Sequence, residues 1–144
     1  MPRASSTPRA AGLPVEAEIN VSRLRLRTFM GFNEDERRKK QDVVIDLMIR
    51  YRLRDGVFED QVADALDYKV VTKAVIDLVE NGRFLLLEKL VADILAVCSE
   101  HPDVTFSRVT VDKPHALRFA DSVSLTLDYR PEQAGSMRLL EKAS

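Results

Sequence analysis

Among 144 residues there is a single cysteine, Cys98, so the chain can form no internal disulfide and a reducing compartment, the cytoplasm, is the simpler setting. Tryptophan is absent, and only two histidines occur, His101 and His115. With no paired-cysteine spacing, these are too few for a convincing zinc centre, and no metal is expected. The five glycines are scattered, which excludes a Walker-type loop and a Gly-x-Gly-x-x-Gly turn. No apolar run approaches the ~20 residues of a membrane-spanning helix or forms a signal-peptide core. Neither sign of charge dominates: 22 basic residues stand against 23 acidic ones, a formal net charge of −1. That balance removes any general electrostatic case for nucleic acid or an anionic membrane as partner. No Ser/His/Asp set can be defended from spacing.

What is present suits one globular domain: 45% hydrophobic and 31% charged residues, at a length that buries one moderate core. Residues 1–16 are rich in Pro, Ala, Ser and Arg. Pro2, Pro8 and Pro14 oppose an amphipathic helix there, so a disordered tail is expected rather than a transit peptide. A folded domain over 17–130 follows, then a polar tail over 131–144 in which Met137 to Leu140 could form one helical turn.

The segment Gln41 to Arg52 sets Val43, Ile45, Leu47, Ile49 and Tyr51 against Asp46, Met48 and Arg50, the period-two alternation of a half-buried strand. Arg108 to Lys113 and Ser122 to Tyr129 repeat the pattern. Ile19 to Met30 is also strand-like, but its apolar phase slips between Val21 and Leu24, which predicts a bulge near Ser22. Between the second and third strands the period becomes helical: Val70, Val71, Ala74, Val75, Leu78 and Val79 precede the stop signal Asn81-Gly82. A second helix carries Leu86, Leu87, Leu90, Val91, Ile94 and Leu95, and His101-Pro102-Asp103 closes it. The expected fold is α+β: a four-stranded antiparallel sheet with two helices on one face. The other face, with Asp46, Arg50, Ser122, Ser124, Thr126 and Asp128, is wet. Either a monomer with a solvated face or edge-to-edge pairing of sister chains satisfies that pattern.

Four places could carry chemistry. In the connection Gly31 to Gln41, Glu36 and Gln41 stand in a charged stretch that a solvated loop would equally explain. In Leu66-Asp67-Tyr68, at the entry to the first long helix, Asp67 reads as a helix cap and Tyr68 as a half-buried packing residue. In Leu86-Leu87-Glu88-Lys89-Leu90, Glu88 is either an ordinary exposed position or a carboxylate set in the positive end of a helix dipole. Asp112 to Arg118 brings Lys113, His115 and Arg118 to the end of the third strand. Cys98, beside apolar helix residues, reads as a core residue.

Taken together these places resemble the dihydroneopterin aldolase/epimerase family. The matching stretches are Leu24 to Gly31, Glu36 with Gln41-Asp42, Ala65-Leu66-Asp67-Tyr68, Arg83-Phe84-Leu85-Leu86-Leu87-Glu88-Lys89-Leu90, and Lys113 to Val123. The last, with its His-Ala-Leu-Arg-aromatic-Ala-Asp-Ser-Val run, looks like the epimerase branch. The resemblance implies the tunnelling fold, assembled into an oligomeric barrel, with sites shared between subunits of a tetramer or octamer. It implies that Glu88 anchors a reduced pterin, aided by main-chain groups near Leu87 and Leu66. Tyr68, Lys113 and Glu36 would be catalytic, with Gln41 toward the substrate's side chain and no metal or cofactor. The implied reaction is epimerisation at C2′ of 7,8-dihydroneopterin triphosphate by retro-aldol and aldol steps. His115 and Arg118 would then either hold the triphosphate, since Arg forms forked contacts with phosphate oxygens, or be structural in the strand-joining loop. An aldolase releasing glycolaldehyde is the alternative, and a non-catalytic pterin- or purine-binding oligomer a third reading.

Overall fold

The computed structural model describes residues 15–132; the expected N-terminal tail up to residue 14, and the tail and helical turn beyond residue 132, lie outside the described residues. The elements run β1 (Glu16–Met30), α1 (Glu34–Arg38), β2 (Gln41–Arg52), α2 (Tyr68–Glu80), β3 (Arg83–Phe84), α3 (Leu87–Cys98), β4 (Val104–Pro114) and β5 (Ser122–Tyr129). Two short 3-10 turns, Asp55–Glu59 and Val62–Asp64, join β2 to α2.

The four long strands form the expected antiparallel ladder, but the sheet has five strands, in the order β3-β1-β2-β4-β5. β3 pairs parallel with the end of β1 through Phe29↔Arg83 and Met30↔Phe84. Two residues cannot display an alternation, so this strand has no signature of its own. There are also three α-helices rather than two, because the Asn33 capping box closes α1 over only five residues. Nor does the chain present a closed barrel: its sheet is open, with β3 and β5 as its edges. The expectation of four strands, two helices and an oligomeric barrel is corrected on each of these points.

The bulge in β1 falls where the apolar phase slips. Val21 pairs with Leu47 and Leu24 with Ile45, so Ser22 and Arg23 together oppose Asp46. Arg23 takes φ 58°, its N–H donates to Asp46 at 2.7 Å and its guanidinium meets Asp112 at 2.7 Å. The extra residue returns Leu24 and Leu26 to the same face as Ile19 and Val21, and all four join the core. That core holds Val43, Ile45, Leu47, Ile49, Val109 and Val111 from the sheet. Val75, Val79, Leu90, Val91 and Ile94 meet them from the helices. α2 packs on β1, and α3 on β4 and β5. The opposite face carries cross-strand pairs: Arg50 with Glu18 at 3.0 Å, Arg108 with Asp128 at 2.7 Å, and the hydroxyls of Thr110 and Thr126 at 2.7 Å. No helix among the described residues is long and apolar enough to cross a membrane.

Candidate functional site

Antiparallel pairing brings the ends of β1 and β4 and the starts of β2 and β5 to one end of the sheet. There β2 and β4 part company: their pairing stops at Val44↔Asp112, whereas β4 stays with β5 through Lys113↔Val123 and Pro114↔Ser122. Lys113 continues the inward series Val109, Val111, and Gln41 precedes Val43, Ile45. Both therefore lie on the helix-bearing face. The Lys113 side chain is only 13% exposed and donates to Glu36 Oε2 at 2.5 Å. Glu36 is 24% exposed. The Lys113 hydrogen bond holds the Glu36 carboxyl below the ordinary glutamate range, against the opposing effect of burial, with help from the backbone amides of Asn33 and Phe32.

Glu36 is held from its other side as well. Its backbone N–H donates to Asn33 Oδ1 at 2.8 Å, and its Oε1 accepts from the Asn33 N–H at 3.3 Å. Gly31, at φ +121°, lies under the carboxyl group: a Cβ there would stand 2.2 Å from Glu36 Cδ and Oε1. The Gly31 N–H donates to Phe84 O at 2.9 Å, and Gln41 Nε2 to Met30 O at 2.6 Å. Glu36, Gln41 and Lys113 are thus drawn together from a short helix and two strands. Reading the sequence for site residues passed over Gly31 and Asn33. The Asn-x-x-Glu spacing of a capping box was the available signal for Asn33.

Glu88 occupies the first turn of α3, shortly after Phe84 and so on the same end of the chain as Lys113. It is exposed, and among the described residues its side chain makes no hydrogen bond or ion pair, to Lys113 or to any other group. The N-cap of α3 is Leu86, which supplies no side-chain acceptor. The amides of Leu87 and Glu88, at the open start of the helix, therefore have no helical partners. A carboxylate beside two such donors, with exposed Leu85 and Leu86 adjoining, can take a flat ligand edge that both donates and accepts.

Tyr68 and Leu66 stand elsewhere. Asp67 caps α2, accepting from Lys69 N at 3.0 Å and Val70 N at 3.4 Å. α2 then runs back toward the Lys113 end over about 20 Å, at 1.5 Å per residue. Tyr68, 52% exposed, lines a groove of about 700 Å³ with Ile19, Val21, Thr72 and Ile76. Neither Glu36 nor Lys113 lines this groove. Leu66 is buried and borders a smaller cavity of about 340 Å³ with Asp67 and His101. His115, at φ 63°, and Arg118 are exposed in the β4–β5 turn, where Arg118 stacks on Phe119 at 5.6 Å from the ring centre. One chain thus gathers Glu36, Gln41 and Lys113, sets Leu87, Glu88, His115 and Arg118 at the same end, and leaves Tyr68 and Leu66 at the other. Among the described residues no three His, Cys, Asp or Glu side chains group to hold a metal ion.

Residues 19–128 match the family model described as dihydroneopterin aldolase (FolB). A dihydroneopterin triphosphate 2′-epimerase from Pseudomonas aeruginosa is 51% identical over 114 residues, covering 79% of this chain and 93% of that protein. The enzyme of the same name from Escherichia coli K12 is 48% identical over 114 residues, with 79% and 95% covered. A Vibrio cholerae crystal structure assigned to dihydroneopterin aldolase (FolB) superposes with a TM-score of 0.73 at 31% identity, covering 79% of this chain and 97% of the other.

Proposed function

Because this chain belongs to the dihydroneopterin aldolase family, we propose that it epimerises C2′ of 7,8-dihydroneopterin triphosphate to the monapterin isomer by breaking and remaking the C1′–C2′ bond. The family sets the chemistry as aldolase or epimerase action on a dihydroneopterin. The choice of product follows the identity of about half the residues with two 2′-epimerases, against 31% with the aldolase structure. The observation that carries the catalytic reading is the Glu36–Lys113 pair, an amine and an ionised carboxylate in direct contact at a partly buried strand end.

In this reading Glu88 accepts the two donors on the edge of the pterin ring, and the open amides of Leu87 and Glu88 add main-chain contacts. The 2′-hydroxyl gives its proton to Lys113 Nζ as Lys113 passes one of its own to Glu36, so the pair relays a proton without either group leaving its contact. The C1′–C2′ electrons enter the reduced pterin ring, which already contains the sink that other aldolases create with a lysine imine. The two-carbon-shortened pterin and the aldehyde fragment then exist together in the site. Turning the aldehyde over and re-adding it inverts C2′; the relayed proton returns to the new hydroxyl. Gln41, tied to Met30 O, borders the space in which that fragment turns. His115 and Arg118 receive the triphosphate, where a guanidinium makes forked contacts with phosphate oxygens.

Tyr68 and Leu66 contribute from a second copy of the chain, because α2 separates them from Lys113 within one copy. The working enzyme is accordingly a homo-oligomer, a tetramer or octamer, with its sites between subunits. The lone, buried Cys98 accords with a cytoplasmic setting.

Incubation with dihydroneopterin triphosphate and identification of the products tests the proposal. The monapterin isomer is expected. Glycolaldehyde with hydroxymethyl-dihydropterin would instead identify an aldolase, and binding without turnover, indifferent to Lys113→Ala, a non-catalytic pterin binder. Arg118→Ala should weaken the triphosphate substrate more than its unphosphorylated form; equal losses would remove Arg118 from phosphate recognition.

A further inference from the structure

We infer that Asn33 and Gly31 are positioning residues that aim the Glu36 carboxylate at Lys113, and that Gly31 also couples this pair to the segment bearing Glu88. The inference deepens the proposed role of the Glu36–Lys113 pair and rests on it for the effect on turnover.

A five-residue helix does not hold its own shape in water, so α1 needs outside support to present a side chain in one direction. The reciprocal bonds with Asn33 supply it. They also divide the carboxylate: Oε1 accepts from the Asn33 amide at 3.3 Å while Oε2 accepts from Lys113 at 2.5 Å. Two acceptors engaged by donors on different elements fix the plane of the group as well as its position. Gly31 provides the space. Its hypothetical Cβ would lie 2.2 Å from Glu36 Cδ and Oε1 and 2.6 Å from Oε2, closer than real atoms approach. Any side chain at residue 31 would push the carboxylate off its seat, and the φ of +121° disfavours one as well. The same residue reaches in the other direction: its N–H bonds Phe84 O at 2.9 Å, in the short strand that leads into α3 and Glu88. Gly31 therefore sits between the proton-handling pair and the ring-holding carboxylate, against the first and bonded to Phe84, from which the chain runs on through Leu85, Leu86 and Leu87 to the second.

The test combines turnover with a direct reading of the Glu36 carboxyl, followed by carbon NMR titration in the full-length protein. Asn33→Ala removes the cap acceptor and should lower kcat about fivefold with KM nearly unchanged, the equivalent of about 1 kcal/mol for a lost cap. It should also raise the Glu36 titration midpoint toward the ordinary glutamate value. Asn33→Ser, which keeps a cap acceptor, should restore both. Gly31→Ala should lower kcat further and raise KM, since it disturbs the Phe84 link too; the Asn33 pair decides the matter if that variant does not fold. A Glu36 midpoint in Asn33→Ala equal to that of the wild type, or raised equally in Asn33→Ala and Asn33→Ser, overturns the positioning role. If the wild-type chain does not act on dihydroneopterin triphosphate, the proposed function fails, while the carboxyl titration still decides whether Asn33 and Gly31 aim Glu36.

Discussion

Replacing Glu36 by Gln preserves the shape of the side chain and removes its charge, which makes it a sensitive probe of the pair with Lys113. A charge-assisted hydrogen bond contributes about 1.5–3 kcal/mol, whereas an exposed ion pair gives only about 0.2–1 kcal/mol. With Lys113 at 13% and Glu36 at 24% exposure, the pair stands nearer the first class. Glutamine still offers a neutral acceptor, so the expected loss near neutral pH is about 1–2 kcal/mol, or about 3–8 °C in Tm for a domain of this size. The pH dependence separates this effect from simple damage. Because Lys113 depresses the Glu36 pKa in the folded chain, the carboxylate adds stability at pH values above its unfolded pKa of about 4.3. That contribution is lost as pH falls through the lower, folded value. The gap between wild type and Glu36→Gln should be full near neutrality, begin to close around pH 4 to 5, and disappear once folded Glu36 is protonated. Urea unfolding of both proteins across that range, at one fixed protein concentration because association shifts the midpoint, measures it. A gap that stays constant on acidification, or widens, would refute the assignment of the stabilisation to an ionised Glu36.

Three other outcomes are expected. Glu88→Ala should weaken binding of a reduced pterin by about tenfold to a hundredfold, as loss of a bidentate charged contact does; isothermal titration reads this directly. Mixing Lys113→Ala and Tyr68→Ala chains, each inactive alone, through unfolding and joint refolding should restore activity at about a quarter of the sites if each site draws on two copies. No recovery would place both residues' roles within one chain. Cys98, whose thiol burial pushes up to about 12, should resist alkylation in the folded protein at mildly alkaline pH and react promptly in urea. Fast labelling without denaturant would contradict its burial.

Much of the framework is legible along the chain because it is local. The alternation from Val43 to Tyr51 follows from one face of β2 meeting the core, and the helical spacing in α2 and α3 from one stripe doing so. The bulge at Ser22 announces itself because a strand cannot change apolar phase without an extra residue. β3 escaped because two residues carry no period, and α1 because five residues do little more than close a capped turn. The candidate residues were recognisable as types in a family pattern. Their company was not: Lys113 and Glu36 are 77 residues apart, and nothing local says that one will fill the space beside the other. That contact depends on β4 leaving β2 after Asp112, on α1 folding back from β1, and on Gly31 leaving room for a carboxylate. Likewise only the path of α2 across the sheet separates Tyr68 from Lys113. By itself the sequence determined which stretches become strands and helices and which faces turn inward, since solvent and backbone geometry act on neighbours. Tertiary structure decided which distant side chains meet, since strand register and chain crossings are settled by the packing of the whole domain.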